Sequence, residues 1–197
     1  MTTDNAPALI TLTTPRLTLR QWCAADRVPF AALNADPLVM KYFPATLDRA
    51  ASDAVADRIE AGIAARGFGF WATEITATRE FIGFVGISVP MAPFPHLPCV
   101  DVGWRLARAF WHQGYATEAA NAALDVGFGQ IGLDEIIAFT ALTNTPSRAV
   151  MVRLGMREDA ATFMHPRVPE ASPVREHCLY RLTKAAWLTQ PARGAAK

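Results

Sequence analysis

The sequence predicts a single α+β domain in which helices cover both faces of one mixed sheet, a three-layer α/β/α arrangement. The length of 197 residues suits one domain. Apolar residues make up 51% of the chain and charged residues 19%, a balance that favours a folded core over disorder. Strand-like and helix-like patterns alternate, and several strand patterns follow one another in the middle of the chain. This order predicts one sheet with helices packed against it.

The first half of the chain begins with a strand and contains a long amphipathic helix. Alternating apolar and polar residues over 16–22 predict the strand. Apolar residues at helical spacing predict the helix over 48–66, with Thr46 as its N-cap and Gly67 as its stop. The other elements predicted in this half are a helix over 25–35 that ends at Asp36-Pro37 and strands over 68–75, 80–89 and 100–106.

The second half of the chain continues the alternation to its end. Pro146 suits the first turn of a helix that Thr145 caps and Gly155 ends. No internal repeat is visible, so residues 14–190 are predicted to form one domain between flexible termini at 1–13 and 191–197. The elements predicted in this half are helices over 116–130 and 146–154, strands over 135–141 and 177–182, and a short helical tail.

Composition and charge argue against several classes of function. Lys and Arg number 19 and Asp and Glu 18, so no basic excess points to nucleic acid. The three cysteines lie far apart and no Cys/His cluster exists, which predicts no metal site and no disulfide framework. Free thiols and the lack of a signal-peptide pattern predict a cytoplasmic protein. Residues 81–100 are uncharged, but the prolines in this stretch argue against a membrane helix.

The segment 104–118, WRLARAFWHQGYATE, joins a predicted strand to a predicted helix through a short loop that contains Gly114. The first amides of a helix lack helical partners and lie at the positive end of its dipole. Such amides bind phosphate, and a glycine lets the anion approach the backbone. The loop is neither a Walker A loop nor a Rossmann fingerprint. Taken alone, it predicts either an anion site or a tight turn with no ligand.

The segment 141–156, ALTNTPSRAVMVRLGM, carries polar residues at the start of another predicted helix. Asn144, Ser147, Arg148 and Met151 are spaced so that they share one side of this helix. Taken alone, the pattern is that of an ordinary capped helix with an exposed arginine and serine.

Together the two segments resemble the acyl-CoA-binding core of the GNAT N-acetyltransferases, most closely the RimJ/RimL-like branch that includes ribosomal-protein N-terminal acetyltransferases. The matching text is VDVGWRLARAFWHQGYATEAANAALDVGF and IGLDEIIAFTALTNTPSRAVMVRLGM. TPRLTLRQW, DPLVMKYFP, FGFWATE, FIGFVGISV and PVREHCLYRLTKAAW extend the resemblance from Thr14 to Trp187. It implies the GNAT fold, whose mixed, mostly antiparallel sheet is splayed at the cofactor site. It also implies transfer of an acetyl group from acetyl-CoA to a primary amine.

The resemblance implies a binding site for coenzyme A in two parts. The family often has Gln or Arg where this chain has Trp111, so one side-chain contact to phosphate is expected to be missing. The pantetheine arm would lie between the strands 100–106 and 135–141, near the backbone of Val102 and Trp104. The residues implied for the pyrophosphate loop are Trp111, Gln113, Gly114, Tyr115, Ala116 and Thr117.

The start of the helix over 146–154 would complete this site. Asn144 would bond the pantetheine arm or brace the site, and Ser147 would lie near the thioester sulfur. Arg148 or Arg153 would reach an adenosine phosphate, because local arginines can hold a polyanion even in a nearly neutral protein. A solvated surface position is the alternative for Arg105, Arg108 and Arg153.

Acetyl transfer needs a base for the amine and hydrogen-bond donors for the thioester oxygen and the leaving thiolate. In many relatives a tyrosine acts as the general acid at the position where this chain has Met151. Ser147 is therefore the expected donor to the thiolate, with helix capping as its alternative role. Asp101 is a candidate base, with an exposed strand end as the alternative. His165 is a candidate base or substrate contact, or it only fixes its loop.

The acceptor amine is predicted to be a protein N-terminus or a small molecule, bound by a monomer or a homodimer. Tyr42, Phe43, Trp71 and His165 are predicted to line its site, with a place in the core as the alternative for the aromatic residues. Two other functions remain open, an acyl-CoA-binding sensor without activity and an interaction protein that reuses the fold.

Overall fold

One nine-stranded sheet runs through the computed structural model, which describes residues 8–190. The strands follow in the order β1-β2-β3-β4-β5-β6-β9-β7, and β8 also pairs with β9. Every pair in this sheet is antiparallel except β5 with β6, which confirms the predicted mixed, mostly antiparallel sheet. The strands are β1 (Leu12–Thr13), β2 (Leu17–Arg20), β3 (Phe70–Ile75), β4 (Phe81–Ser88), β5 (Asp101–Leu106), β6 (Glu135–Ala141), β7 (Arg157–Glu158), β8 (Phe163–Met164) and β9 (Glu176–Thr183).

The helices begin and end close to the predicted positions, with two differences at their caps. Helix α2 is capped by Asp48, whose carboxylate accepts from the amide of Ala51, so the prediction of Thr46 is wrong. Helix α4 is capped by Asn144 rather than Thr145. The α-helices are α1 (Arg27–Ala35), α2 (Arg49–Arg66), α3 (Tyr115–Asp125), which a π-helical turn (Val126–Ile131) continues, α4 (Thr145–Arg153) and α5 (Lys184–Leu188).

The sheet has two faces that different helices cover. Strand pairing puts Asp101, Gly103 and Arg105 on one face, which we call the α1 face because Arg105 bonds to Asn34 of α1. Val102 and Trp104 lie on the other face, which we call the α3 face. The π-helical turn after α3 packs there against strands β4 and β6. This arrangement confirms the predicted three layers.

The ends of the domain differ slightly from the prediction. Leu12 and Thr13 were expected in a flexible N-terminus, but they form β1 because they pair with Leu19 and Thr18. Residues 1–7 and the predicted flexible C-terminus at 191–197 lie outside the described residues. Among the helices of residues 8–190, none has the length and apolar character needed to cross a membrane.

Candidate active site

The parallel strands β5 and β6 pair only where β5 begins. Asp101 lies opposite Ile137, and the amide of Ile137 donates to the carbonyl of Val100 at 3.0 Å. Within the described residues no pairing between the two strands follows, so they diverge toward their C-terminal ends. We call the resulting opening between β5 and β6 the wedge. Alternate residues of a strand direct their backbone groups to opposite neighbours, so those of Val102 and Trp104 face the wedge, as that of Val100 does.

The loop between β5 and α3 lies at the wide end of the wedge and leaves backbone amides open. Gly114 caps α3 with a φ of 81°, and no side chain caps this helix. His112 also has a positive φ, 60°, so the chain turns sharply twice over three residues. The amides of the first helical turn therefore have no capping partner and can bind an anion.

Two predicted loop residues shape the loop with their side chains. The indole N–H of Trp111 donates to the carbonyl of Leu106 at 2.8 Å. The side-chain amide of Gln113 donates to the carbonyl of Ala109 at 3.1 Å. Both side chains thus make a hydrogen bond within the protein.

Arg16 is a basic residue beside this loop that the sequence analysis missed. Its guanidinium lies 4.5 Å from the centre of the Tyr115 ring, and one of its nitrogens would be 3.5 Å from a Cβ at Gly114. Glu118, in the first turn of α3, holds it with N–O distances of 2.6 and 2.7 Å. Arg16 and Glu118 are 102 residues apart, and no local pattern marks this pairing. An ion pair between the residue before β2 and the first turn of α3 therefore lies beside the loop.

The start of α4 forms the other side of the wedge. Asn144 accepts from the amide of Ser147 at 3.3 Å and donates to the hydroxyl of Thr140 at 2.8 Å, so it braces α4 against β6. The hydroxyl oxygen of Ser147 accepts from the indole N–H of Trp104 at 3.3 Å, which joins α4 to β5 across the wedge. Because that oxygen is the acceptor, the hydroxyl hydrogen of Ser147 is free to be donated.

The guanidinium of Arg148 makes hydrogen bonds within the protein. Its guanidinium donates to both carboxylate oxygens of Glu158, at 2.9 and 3.0 Å, and also to Tyr180 and to the carbonyl of Leu142. These bonds use most of its donors within the protein, and a contact of Arg148 with coenzyme A stays a prediction. Arg153 is exposed at the end of α4, and Met151 is buried in the core.

Asp101 lies at the narrow end of the wedge and is 8% exposed. One of its carboxylate oxygens is buried and has no hydrogen-bond partner. Burial raises the pKa of Asp101 to about 7, because the charged form loses its hydration. A carboxyl group with such a pKa exchanges its proton near neutral pH.

The predicted base His165 has the opposite properties. Burial, with a smaller contribution from neighbouring His177, lowers the pKa of His165 to about 4. Its Nδ1 atom accepts from the amide of Arg167 at 3.2 Å, which leaves the proton of the neutral ring on Nε2. His165 can donate a hydrogen bond but is a poor base in this position. Among residues 8–190, no His, Cys, Asp or Glu side chains form a group of metal ligands.

Aromatic rings cover β6 and β9 on the α1 face, next to Asp101. The ring centres of Phe94 and Phe139 are 4.7 Å apart, and those of His165 and His177 are 4.8 Å apart. Phe163 lies against all four. These rings form an aromatic wall on the β6 side of the wedge.

The predicted acceptor residues divide between the two faces of the sheet. Tyr42 packs against Ala141 and two valines after β8, while Phe43 stacks over Arg105, so the segment between α1 and α2 spans the wedge on the α1 face. Trp71 is 0% exposed and lies on the α3 face, because it pairs with Val85, which pairs with Trp104. This contradicts the prediction that Trp71 binds substrate. Its neighbour Phe70 lies on the α1 face instead.

Phe70 and Arg105 also lie on the α1 face of the sheet. The ring of Phe70 would be 3.0 Å from a Cβ at Gly103, so it lies over β5 between Asp101 and Arg105. Arg105 is partly buried and bonds to Asn34 at 2.6 Å, and burial lowers its pKa to about 10. Arg105 therefore does not occupy the solvated surface position that was predicted as its alternative. Strand alternation could have separated Phe70 from Trp71, but only once the register of β3 was known.

The comparison with known proteins identifies the class. The family profile described as "Acetyltransferase (GNAT) domain" matches residues 16–157, which include the loop, the wedge and α4. The chain therefore belongs to the GNAT acetyltransferases. It is an acetyl-CoA-dependent acetyltransferase.

Individual relatives agree with this assignment. The chain is 32% identical over 148 residues to the uncharacterized protein YkkB of Bacillus subtilis, covering 74% of this chain and 84% of that protein. An acetyltransferase structure from Agrobacterium tumefaciens has a TM-score of 0.72 at 27% identity, covering 92% of this chain and 99% of that one. Mycobacterium smegmatis RimJ in complex with CoA-disulfide has a TM-score of 0.69 at 23% identity, covering 88% of this chain and 84% of that one. The RimJ likeness is consistent with the RimJ/RimL-like resemblance.

Proposed function

We propose that this chain acetylates a primary amine by direct attack of the amine on the thioester of acetyl-CoA, with Asp101 as the base and Ser147 as the donor to the thiolate. The wedge carries this proposal. Asp101 lies at its narrow end on the α1 face, and Ser147 lies on the α3 face, bonded to Trp104 of β5. A proton acceptor and a proton donor therefore serve one opening from opposite faces.

The residues of the α3 face fit coenzyme A. The open amides at Gly114, Tyr115, Ala116 and Thr117 lie at the positive end of the α3 dipole and suit a pyrophosphate. The backbone of Val102 and Trp104 faces the wedge and can pair with the amide groups of a pantetheine arm. When bound, acetyl-CoA supplies an acetyl group activated as a thioester. Mycobacterium smegmatis RimJ, which shares this fold, was solved in complex with CoA-disulfide.

Asp101 is the base that the electrostatics favour. A general base works best when its pKa lies near the working pH, and burial brings the pKa of Asp101 to about 7. Its unpartnered oxygen can accept the amine proton directly or through one water. His165 is better suited to contact the acceptor than to take its proton.

Ser147 is the proposed hydrogen-bond donor to the thiolate, because Met151 stands where many relatives have the tyrosine that acts as the acid. Its oxygen is already bonded by Trp104, which orients the hydroxyl hydrogen away from β5. A hydrogen bond to a charged group stabilises it by roughly 1.5–3 kcal/mol. Such a bond to the leaving thiolate would lower the barrier to its departure.

The first experiment measures thiol release from acetyl-CoA over a panel of small amines and peptides with free N-termini. We expect turnover with at least one acceptor and micromolar binding of coenzyme A by calorimetry. Binding without turnover for every amine would contradict the proposal. That result would favour the second candidate function, an acyl-CoA sensor without activity. The observation behind this candidate is the buried Met151, which stands where many relatives have the acid.

A further inference from the structure

Arg105 is a partly buried arginine without a carboxylate partner. No Asp or Glu oxygen of residues 8–190 lies within 4.0 Å of its guanidinium, whereas Arg16, Arg20 and Arg181 all have such partners. The other described arginines without an ion pair are exposed; they are Arg58, Arg66, Arg153, Arg157 and Arg167. Removing a charge from water is costly unless a partner compensates it. Arg105 is therefore a site where an anion from outside the chain would be stabilised.

The surroundings of Arg105 fix its orientation and leave one edge of the guanidinium without hydrogen-bond partners. Its Nη1 atom donates a hydrogen bond to the side-chain oxygen of Asn34. The side-chain nitrogen of Asn34 donates in turn to the hydroxyl of Ser52 in α2, at 2.9 Å. The rings of Phe43 and Phe84 lie 4.1 and 5.4 Å from the guanidinium carbon. Within the described residues neither Nε nor Nη2 makes a hydrogen bond, and Nε is buried. The edge formed by these two nitrogens is one that a carboxylate binds with both oxygens.

Arg105 and Asp101 share the α1 face of one strand. They are four residues apart, so their Cα atoms lie about 13 Å from each other. Between them Gly103 has no side chain, and the Phe70 ring lies over it. A ligand that reached both groups would lie across the apolar surface formed by Gly103 and the Phe70 ring. The separation of Asp101 and Arg105 exceeds the length of an α-amino acid. It fits a ligand whose amine and carboxylate are joined by several methylene groups.

We propose that Arg105 binds a carboxylate of the acceptor, so that the acceptor is a primary amine joined through an apolar spacer to that carboxylate. The inference rests on the proposed function, because it places the amine at Asp101. Arg105 acts as a specificity-determining residue that neutralises one end of the acceptor. Phe43, which is 37% exposed, covers the guanidinium from the solvent side.

The test compares 6-aminohexanoate with its neutral amide, 6-aminohexanamide, by calorimetry on the protein saturated with coenzyme A. We expect the carboxylate to bind about 10- to 100-fold more tightly than the amide, the range of a hydrogen-bonded charge. Arg105→Gln should remove this difference while it leaves binding of the amide within about twofold. Arg105→Lys keeps the charge but loses the planar edge, and should retain only part of the difference. Arg58→Gln, which removes an exposed charge on α2, is the matched control and should change nothing.

Equal binding of the two probes to the unaltered protein would overturn the inference, as would an equal loss of both probes in the Gln variant. Should Arg105→Gln fail to fold by thermal melting, the Lys variant decides, because an undiminished preference there would also overturn it. Thiol release, measured in parallel, separates the two proposals. Turnover without a preference for the carboxylate keeps amine acetylation and overturns the role of Arg105. Preferential binding of the carboxylate without turnover of any amine in the panel keeps Arg105 as a carboxylate site and contradicts amine acetylation.

Discussion

The two faces of the wedge satisfy their polar side chains in different ways. On the α3 face, the polar side chains make hydrogen bonds within the protein, and the groups left for a ligand are mainly backbone amides. These side chains are those of Trp111, Gln113, Asn144 and Ser147. On the α1 face, Asp101 and Arg105 keep buried atoms without hydrogen-bond partners.

The difference follows from what each face is proposed to bind. Coenzyme A is the same for every member of the family, so a loop built before the ligand arrives can hold it with backbone amides. The acceptor differs between members, so its side of the wedge depends on individual side chains whose charges only a ligand completes. Buried polar atoms without partners are costly, and Asp101 and Arg105 place two of them beside the wedge on the α1 face, where a ligand could complete them.

The largest effect expected is that of Asp101→Asn. If the α1 face supplies the base, this change should lower kcat by about 10²–10⁴, the usual contribution of a general base, and leave the Kd of coenzyme A unchanged. Steady-state thiol release and calorimetry measure the two quantities. Glu80→Gln, which removes an exposed carboxylate, should have no effect. A kcat within threefold of the unaltered enzyme would show that another group is the base.

Ser147→Ala tests the α3 face in the same way. The loss of a hydrogen bond to a developing thiolate should lower kcat by about 10- to 100-fold, with little change in KM for the acceptor. Thr78→Ala in the exposed turn after β3 is the control. Equal losses in kcat and in the affinity for coenzyme A would instead make Ser147 a binding residue.

The pH profile should separate the two faces further. A base must be deprotonated, so with a pKa of Asp101 of about 7, kcat/KM should fall about tenfold per pH unit as the pH drops below 7. Burial destabilises the charged form, so the folded protein should also lose stability as the pH rises from about 4 to about 7. Asp101→Asn should abolish both dependences. A rate that titrates identically in this variant would assign the pKa to another group.

A substitution at Gly114 should weaken the α3 face alone. A Val at this position would adopt a φ of 81° only with strain and would narrow the approach to the amides, so the Kd of coenzyme A should rise at least about tenfold. Calorimetry checks this value. An equivalent change at Gly129, where a Cβ would meet nothing within 4 Å, should leave the Kd unchanged.

The smallest effect expected is structural. Asn144→Ala removes the cap of α4 and its bond to Thr140, which should cost about 1 kcal/mol of the free energy of unfolding. Denaturant melts measure it. A loss of coenzyme A affinity with no loss of stability would mean that Asn144 contacts the pantetheine arm, the first of its two predicted roles.

The sequence alone determined the order of the helices and strands, the three-layer class, and the position of the loop that leaves open amides at the start of α3. These features depend on local properties, the spacing of apolar residues, the chemistry of helix caps and the placement of Gly114, and all of them lie within short stretches of chain. Ser147 and Asn144 were found for the same reason. The resemblance that spans Thr14 to Trp187 then joined these stretches into one family.

Only the tertiary structure decided which side chains face the acceptor and which charges meet. Strand register put Phe70 rather than Trp71 on the α1 face, because neighbouring residues of a strand point to opposite sides. Long-range packing brought Arg16 to the loop, engaged Arg148 with Glu158 and left Arg105 without a carboxylate. Burial raised the pKa of Asp101. Each of these outcomes depends on the distance between residues far apart in the chain and on the water excluded between them, neither of which a local pattern contains.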